Sequence, residues 1–329
     1  MSSLRAISEA TGLSVATVSR ALRGDHNVRN RTSEKVLRTA DLLGYKRNQH
    51  LGEMMSAVRL RTSGSFHGNL ALIWPAQKRF WGGDRPLREM RAAAFRRAAE
   101  LHFAMDELFF SPKNHRNLRD ILLSRGVHGL IFSTPSSIVN GFEIPMDLAG
   151  FSCVALGSGL AKPALDRVLF DTYSGMRLAV NEAEKLFGEG VAALWDFSSE
   201  SATGHTARGA FLAHHPGGPA RAGELFWDRA KLNRTLVSNA LEKHQVRCLI
   251  LFPRLLPPTW LLDLIPTSNL IWINYPAKKG GAGWVDLQNQ QAGARAVDLL
   301  AAKIHIGQAG VTSSFHSIVI PPKWVAGKA

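Results

Sequence analysis

The sequence predicts an all-α helix-turn-helix headpiece followed by an α/β core of two lobes built on parallel sheets. Near the N-terminus, Thr11-Gly12-Leu13-Ser14 interrupts two short amphipathic segments, with a glycine suited to a tight turn and a serine suited to cap the next helix. From Asn69 onward, apolar runs of strand length alternate with stretches of helical period. Charge is unevenly placed as well: of a net +14, residues 1–62 supply six, from eleven Lys and Arg against five Asp and Glu. A basic front of this kind points to a polyanionic partner.

Leu4, Ile7 and Thr11 share one face of the first helix. The second runs from Val15 to Leu22, with Val18 and Leu22 on its inner side. Thr17, Ser19 and Arg20 lie opposite, where a helix seated in a major groove meets phosphates and base edges. After a loop containing Gly24, Asp25 and Asn27, a third helix starts near Thr32 or Ser33. Glu34 complements its dipole, Val36, Leu37, Ala40 and Leu43 turn inward, and Gly44 ends it. In residues 46–66, Lys46, Arg47, Arg59 and Arg61 flank Leu51, Met54, Met55 and Val58, an apolar stripe at helical spacing. Thr62-Ser63-Gly64-Ser65 reads as a flexible connection.

The core begins with strands at Leu70–Trp74, Phe103–Phe110, Val127–Phe132 and Cys153–Leu156, with helices at Leu87–Leu101 and Asn117–Arg125 between them. A second series places strands at Arg167–Phe170, Val191–Asp196, Glu224–Trp227, Val246–Phe252 and Leu270–Asn274. Its helices are Tyr173–Phe187, Thr206–His214 and Leu232–His244. Ile121–Phe132 aligns without gaps on Ala240–Leu251, matching Leu122 to Leu241, Val127 to Val246 and Leu130 to Leu249, as if one helix-strand unit occurred twice. Trp284–Gln288, a long helix through Leu300, and Ser317–Ile320 complete the chain. Paired α/β lobes bind ligands at the carboxyl ends of their strands. Those ends bring forward Trp81, Ser133, Ser158, Asp196, Arg254 and Asn274 as candidate ligand contacts.

The run Ala6–Gly24, with Val28, Thr32, Glu34-Lys35-Val36 and Leu43-Gly44-Tyr45, resembles the DNA-binding headpiece of the lactose-repressor (LacI/GalR) family. The resemblance continues more loosely through the core, implying a periplasmic-binding-protein-like pair of lobes. It further implies a homodimer, or a tetramer of two dimers, that reads a near-palindromic operator in double-stranded DNA under control of a small molecule such as a sugar or sugar derivative. Val15, Ala16 and Arg20 fall at the family's base-reading positions. Ser14, Thr17, Ser19, Asn27 and Thr32 fall where members hold the DNA backbone. Met54 matches the hinge residue that wedges into the minor groove, with Met55 next to it, although Arg47 replaces the usual proline before the hinge. Arg208 and Trp227 match effector-contacting places. Pro276 occupies the place of a common aspartate after Tyr275, which removes an acceptor for sugar hydroxyls and leaves open an unusual ligand or none.

The expected divisions are residues 1–46 for the headpiece, 47–66 for a hinge or linker, and 67–329 for the core. Within the core, lobe one takes about 67–160 and 286–312, and lobe two about 161–285 and 313–329. No dinucleotide loop, phosphate loop, nucleophile elbow or acid/base set marks an enzyme, and no cofactor is expected. Cys153 and Cys248 are spaced for neither zinc nor a disulfide framework, and His214-His215 read as helix-end surface residues rather than metal ligands. No apolar run reaches the roughly 18 residues of a membrane span, and a cytoplasmic location is expected. A DNA-binding regulator, expected to repress, is the leading reading; a two-lobed sugar-binding protein or an enzyme with an accessory headpiece is the alternative.

Overall fold

The computed structural model describes residues 4–22, 28, 30–43, 67–75, 84–110, 117–135, 141–197, 200, 203–252, 257–275 and 281–327. Two compact units divide the chain, Met1–Ser65 and Phe66–Ala329. The first contains α1 (Leu4–Thr11), α2 (Val15–Leu22) and α3 (Asn30–Leu42). Ile7, Val18, Ala21, Val36 and Ala40 form its core, with Leu13 and Val28 packed against them. Leu37 and Leu43, expected to turn inward, are exposed instead. Two eight-residue helices cover only the Val36/Ala40 stripe of α3.

The second unit holds two six-stranded sheets. The first is assembled from β1 (Gly68–Trp74), β2 (Phe103–Phe109), β3 (Val127–Ser133), β5 (Ser152–Leu156), β7 (Arg167–Phe170) and β13 (Ser317–Ile320), in the order β13-β7-β5-β3-β1-β2. All its pairings are parallel. Helices α4 (Arg85–Glu100) and α11 (Asn289–His305) cover one face and α5 (Leu118–Ser124) the other. Both faces are therefore buried: Leu70, Leu72 and Trp74 pack toward α4 and α11, while Ala71 and Ile73 pack toward α5. A small parallel pair, β4 (Phe142–Glu143) with β6 (Leu160–Lys162), lies beside it in sequence.

The second sheet runs β14-β12-β11-β10-β8-β9 and comprises β8 (Val191–Trp195), β9 (Phe226–Asp228), β10 (Cys248–Leu251), β11 (Leu270–Ile273), β12 (Gly283–Asp286) and β14 (Lys323–Ala326). Only β14 is antiparallel. Its core is packed by α6 (Thr172–Phe187), α7 (Thr206–His214), α8 (Gly218–Leu225), α9 (Arg234–His244) and α10 (Thr259–Leu264). The Ile121–Phe132 and Ala240–Leu251 segments lead into β3 and β10, which hold the same fourth place in their sheets. Glu224–Trp227 is not one strand: α8 continues through Leu225, and β9 starts at Phe226.

The lobe divisions differ from the expected ones. Arg167–Phe170 pairs with β5, and Ser317–Ile320 pairs with it in turn, so both stretches belong to the first lobe. A βαβ pattern reveals strands but not which distant sheet each joins. The chain consequently passes between the sheets at Asp171, at Leu287-Gln288 and at Pro321-Pro322. Those passages touch: Asp171 N–H donates to Ile320 O at 3.1 Å, and the Gln288 side chain donates to Pro321 O. Asp171 also caps α6 by accepting from Ser174 N–H at 2.9 Å.

Two contacts fix α11 on the first lobe. A Cβ added at Gly293 would lie 2.1 Å from Met90 O, so α4 and α11 meet backbone to side-chain-free backbone. Lys303 on α11 makes an ion pair with Asp166, whose other oxygen accepts from His316 N–H at 2.7 Å. Both side chains are about 5% exposed, Lys303 at 5% and Asp166 at 6%. Burial pushes the Asp166 carboxyl up, but the bonds from Lys303 and His316 outweigh it and hold the carboxyl below its ordinary value. Cys153 on β5 and Cys248 on β10 are buried free thiols. Burial raises both, Cys153 to about 12 even though Lys303 pulls it down.

Breaking the buried pair by Asp166→Asn or Lys303→Met should cost about 3–5 kcal/mol, and the joint Asp166→Leu/Lys303→Met change should recover most of it. Urea unfolding followed by tryptophan fluorescence measures both. Because the Asp166 value is depressed, its contribution is present above the unfolded value of about 3.9 and disappears as pH falls through the folded value below it. Gly293→Ala should lower stability by about 1–3 kcal/mol, since α4 and α11 must separate, and the same titration measures it.

Candidate DNA-reading helix and lobe edges

In the headpiece, Gly12 takes φ +69° and ends α1, turning the chain into α2. Ser14 Oγ accepts from Thr17 N–H at 3.2 Å and lies 2.8 Å from Thr17 Oγ1, fixing the first turn of α2. Lys35 on α3 donates from Nζ to Thr11 O at 2.9 Å, tying the third helix to the turn. These bonds hold α2 with Val15 at 44% exposure and Arg20 exposed, while Val18 and Ala21 are buried. Val15, Ala16, Thr17, Ser19 and Arg20 thus share one eight-residue helix. A hydroxyl retains further bonding capacity after capping, so the caps at Ser14 and Thr17 are compatible with contacts to phosphate. Thr32 is half-buried on α3. Asn27, Met54 and Met55 lie outside the described residues.

In the core, Ser133 ends β3, opposite Leu156 of β5. Ser133 and the following Thr134 are fully buried, and their hydroxyls have no hydrogen-bond partner among the described residues. Gly157 has φ +102°, and a Cβ there would meet Thr134 O at 2.7 Å. Ser158 follows at once, so these three polar residues occupy neighbouring strand ends of the first lobe. On the second lobe, exposed Asp196 follows β8. Asn274 follows β11 in the left-handed region, at φ +59°, and its Oδ1 accepts from Asn289 Nδ2 at 2.6 Å. That bond joins the end of a second-lobe strand to the first residue of α11.

Other expected contacts are placed differently. Trp227 is a core residue of the second lobe, 3% exposed, and its indole N–H donates to Glu224 O at 3.0 Å. Arg208 is exposed, with its guanidinium 5.4 Å from the Phe197 ring centre, whereas its neighbour Ala207 is buried. His215 is also buried rather than superficial: Nε2 lies 2.8 Å from Val191 O, and Nδ1 accepts from Gly217 N–H at 3.0 Å. Burial foremost lowers its basicity. Trp81 and Arg254 lie outside the described residues.

Two residues escaped the sequence reading. Thr134 directly follows Ser133 and could have been recognised as a second hydroxyl at the same strand end. Glu200, in the loop between β8 and α7, is 2% exposed, and His205 Nδ1 lies 3.7 Å from its carboxylate. Burial raises its carboxyl value, with the Arg208 backbone, His205 and the Arg208 charge opposing. Nothing in the local sequence distinguishes this glutamate from a solvated loop acid. Among the described residues, no group of three or more His, Cys, Asp or Glu could hold a metal ion.

Residues 3–48 match the family model "Bacterial regulatory proteins, lacI family". Among curated proteins, no relative matches by sequence. Similar solved structures include the transcriptional regulator CelR in complex with cellobiose, at 15% identity and TM-score 0.54, covering 99% of each chain. The lac repressor dimer bound to operator and the anti-inducer ONPF is similar at 16% identity and TM-score 0.52, covering 98% of this chain and 97% of that one. A LacI-family regulator from Silicibacter pomeroyi has 19% identity and TM-score 0.53, with 99% and 98% coverage. At such identities the likeness concerns the fold, which extends over headpiece and core alike. The match assigns residues 3–48 to a headpiece of the lacI-family type, and the chain as a whole shares the fold of these solved regulators.

Proposed function

We propose that this chain is a lacI-family regulator, a sequence-specific transcriptional repressor that acts in the cytoplasm as a homodimer and answers to a small molecule bound between its lobes. The observation that carries this reading is the lacI-family headpiece, with Val15 and Arg20 exposed on a helix capped by Ser14. Val15 and Ala16 offer methyl contacts to base edges, and Arg20 offers a guanidinium fork suited to guanine O6 and N7. Ser14, Thr17, Ser19 and Thr32 serve the phosphates, which set position rather than sequence. Asn27 joins them, and Met54 or Met55 serves the hinge.

The effector reading rests on the strand ends. Ser133, Thr134 and Ser158 present neutral hydroxyls on the first lobe, and Asp196, with Arg208 nearby in sequence, supplies charge on the second. Cellobiose in the CelR complex makes a sugar or sugar derivative the first class to examine. The ligand changes operator affinity only as far as it distinguishes two arrangements of the lobes. Among the described residues, no helix is long and apolar enough to cross a membrane. The regulator reading assigns no catalytic residue and no cofactor.

Operator selection from random duplexes should yield a near-palindromic site. Arg20→Ala should cost roughly 1–3 kcal/mol and relax preference at one base pair per half-site, whereas Thr32→Ala should weaken all sequences alike. An unchanged preferred site in Arg20→Ala would contradict the scheme. Sedimentation at micromolar concentration should show a dimer, because one recognition helix reads too few bases to specify a site.

A further inference from the structure

Helix α4 carries five arginines, and three are neutralised within the fold. Arg85 bonds Glu89 at 2.6 Å, Arg91 bonds Glu107 at 2.6 Å, and Arg97 bonds Asp298 at 2.6 Å and Glu100 at 3.0 Å. The guanidinium groups of Arg88 and Arg96 form no ion pair or hydrogen bond with any described residue. Both line a concavity of about 460 Å³ together with Arg85, Glu89, Ala92 and Gln290. Arg88, Ala92 and Arg96 follow one another at four-residue spacing on one exposed stripe. Ala92 therefore forms a small-residue floor, and the two arginines stand one turn to either side, about 12 Å apart along the axis.

Gln290 belongs to the first turn of α11, which runs parallel to α4: Gly293 abuts Met90, and farther along Asp298 meets Arg97. The amino ends of both helices consequently border the concavity at Arg85 and Gln290. Gln288, the residue before α11, provides no side-chain cap. Two guanidinium groups without an acidic partner and the amino end of α11, which Gln288 leaves uncapped, form a field that favours a compact, multiply charged anion, while Asp84 caps the amino end of α4 by accepting from Leu87 N–H at 3.3 Å. The volume falls in the range of small-molecule sites. We propose that this groove between α4 and α11 binds a small phosphate-bearing molecule, at a site separate from the strand ends assigned to the effector. Guanidinium forks match phosphate oxygens two at a time, which a chloride ion cannot use. The inference is independent of the operator and effector readings.

Isothermal titration of the full-length protein with sodium pyrophosphate, at constant ionic strength, tests it. Saturable binding is expected, and Arg88→Gln/Arg96→Gln should weaken it at least about tenfold, equivalent to ~1.4 kcal/mol. Ala92→Met fills the floor without removing charge and should weaken binding too, while circular dichroism stays unchanged. Arg20→Ala should bind pyrophosphate normally, which separates this site from DNA reading. Equal binding by wild type and the double arginine variant would overturn the proposal. So would equal heats with sodium chloride, which would mean diffuse screening, or binding of polyglutamate but not pyrophosphate, which would mean an acidic protein partner. A loss of dimer in Arg88→Gln/Arg96→Gln would reassign the groove to a second copy of the chain and equally overturn it.

Discussion

The core is governed by one constraint: its chain passes between two sheets three times, and the three passages are bonded to one another. Asp171, Gln288 and the Pro321-Pro322 pair mark them, and the bonds from Asp171 to Ile320 and from Gln288 to Pro321 hold them side by side. Each lobe is completed only by segments distant in sequence. The first needs α11 and β13, and the second needs β12 and β14. Neither lobe could be cut out of the chain as a continuous piece.

Small side chains and one ion pair make that arrangement work in the first lobe. Ala93 and Ala94 on α4, with Ala292, Gly293 and Ala296 on α11, are buried or side-chain-free, and the helices approach closely enough that Gly293 meets the Met90 carbonyl. Lys303, on the same helix as Gly293, reaches Asp166 just ahead of β7. A charge pair so far from water contributes less to net stability than to position, because its desolvation offsets much of its attraction. Its geometric effect is to register α11 against both β7 and the stretch leading into β13. Asn289, at the head of α11, reaches Asn274 of the other lobe, so this helix is bonded at one end across the lobes and at the other within one.

Local order was legible wherever it depended on near neighbours. Gly12 and Ser14 announced the turn and the cap, and strand alternation announced both sheets. What could not be read was membership. Arg167–Phe170 looks in sequence like the opening strand of a second series, and only pairing with β5 and β13 assigns it to the first lobe. Burial was similarly hidden at Trp227, His215 and Glu200. Each is a residue type common at functional surfaces, yet packing by α7, α8 and α9 places Trp227 and His215 inside the second lobe, and tertiary folding of the loop encloses Glu200. Leu37 and Leu43 err in the other direction, being apolar at helical spacing but left uncovered by two short helices. Thr134 shows a third kind of omission: its hydroxyl matters through the lack of a partner, a property no sequence displays.

The two cysteines are distributed one to each lobe, Cys153 on β5 and Cys248 on β10, and each occupies the interior of its sheet. With both thiols held far from their ionised form, alkylating reagents meet almost no reactive sulfur while the sheets are intact. Modification must await an opening of the surrounding strands. The two sulfurs thus act as a pair of internal clocks, and the order in which they are alkylated would tell which half of the core breathes more often.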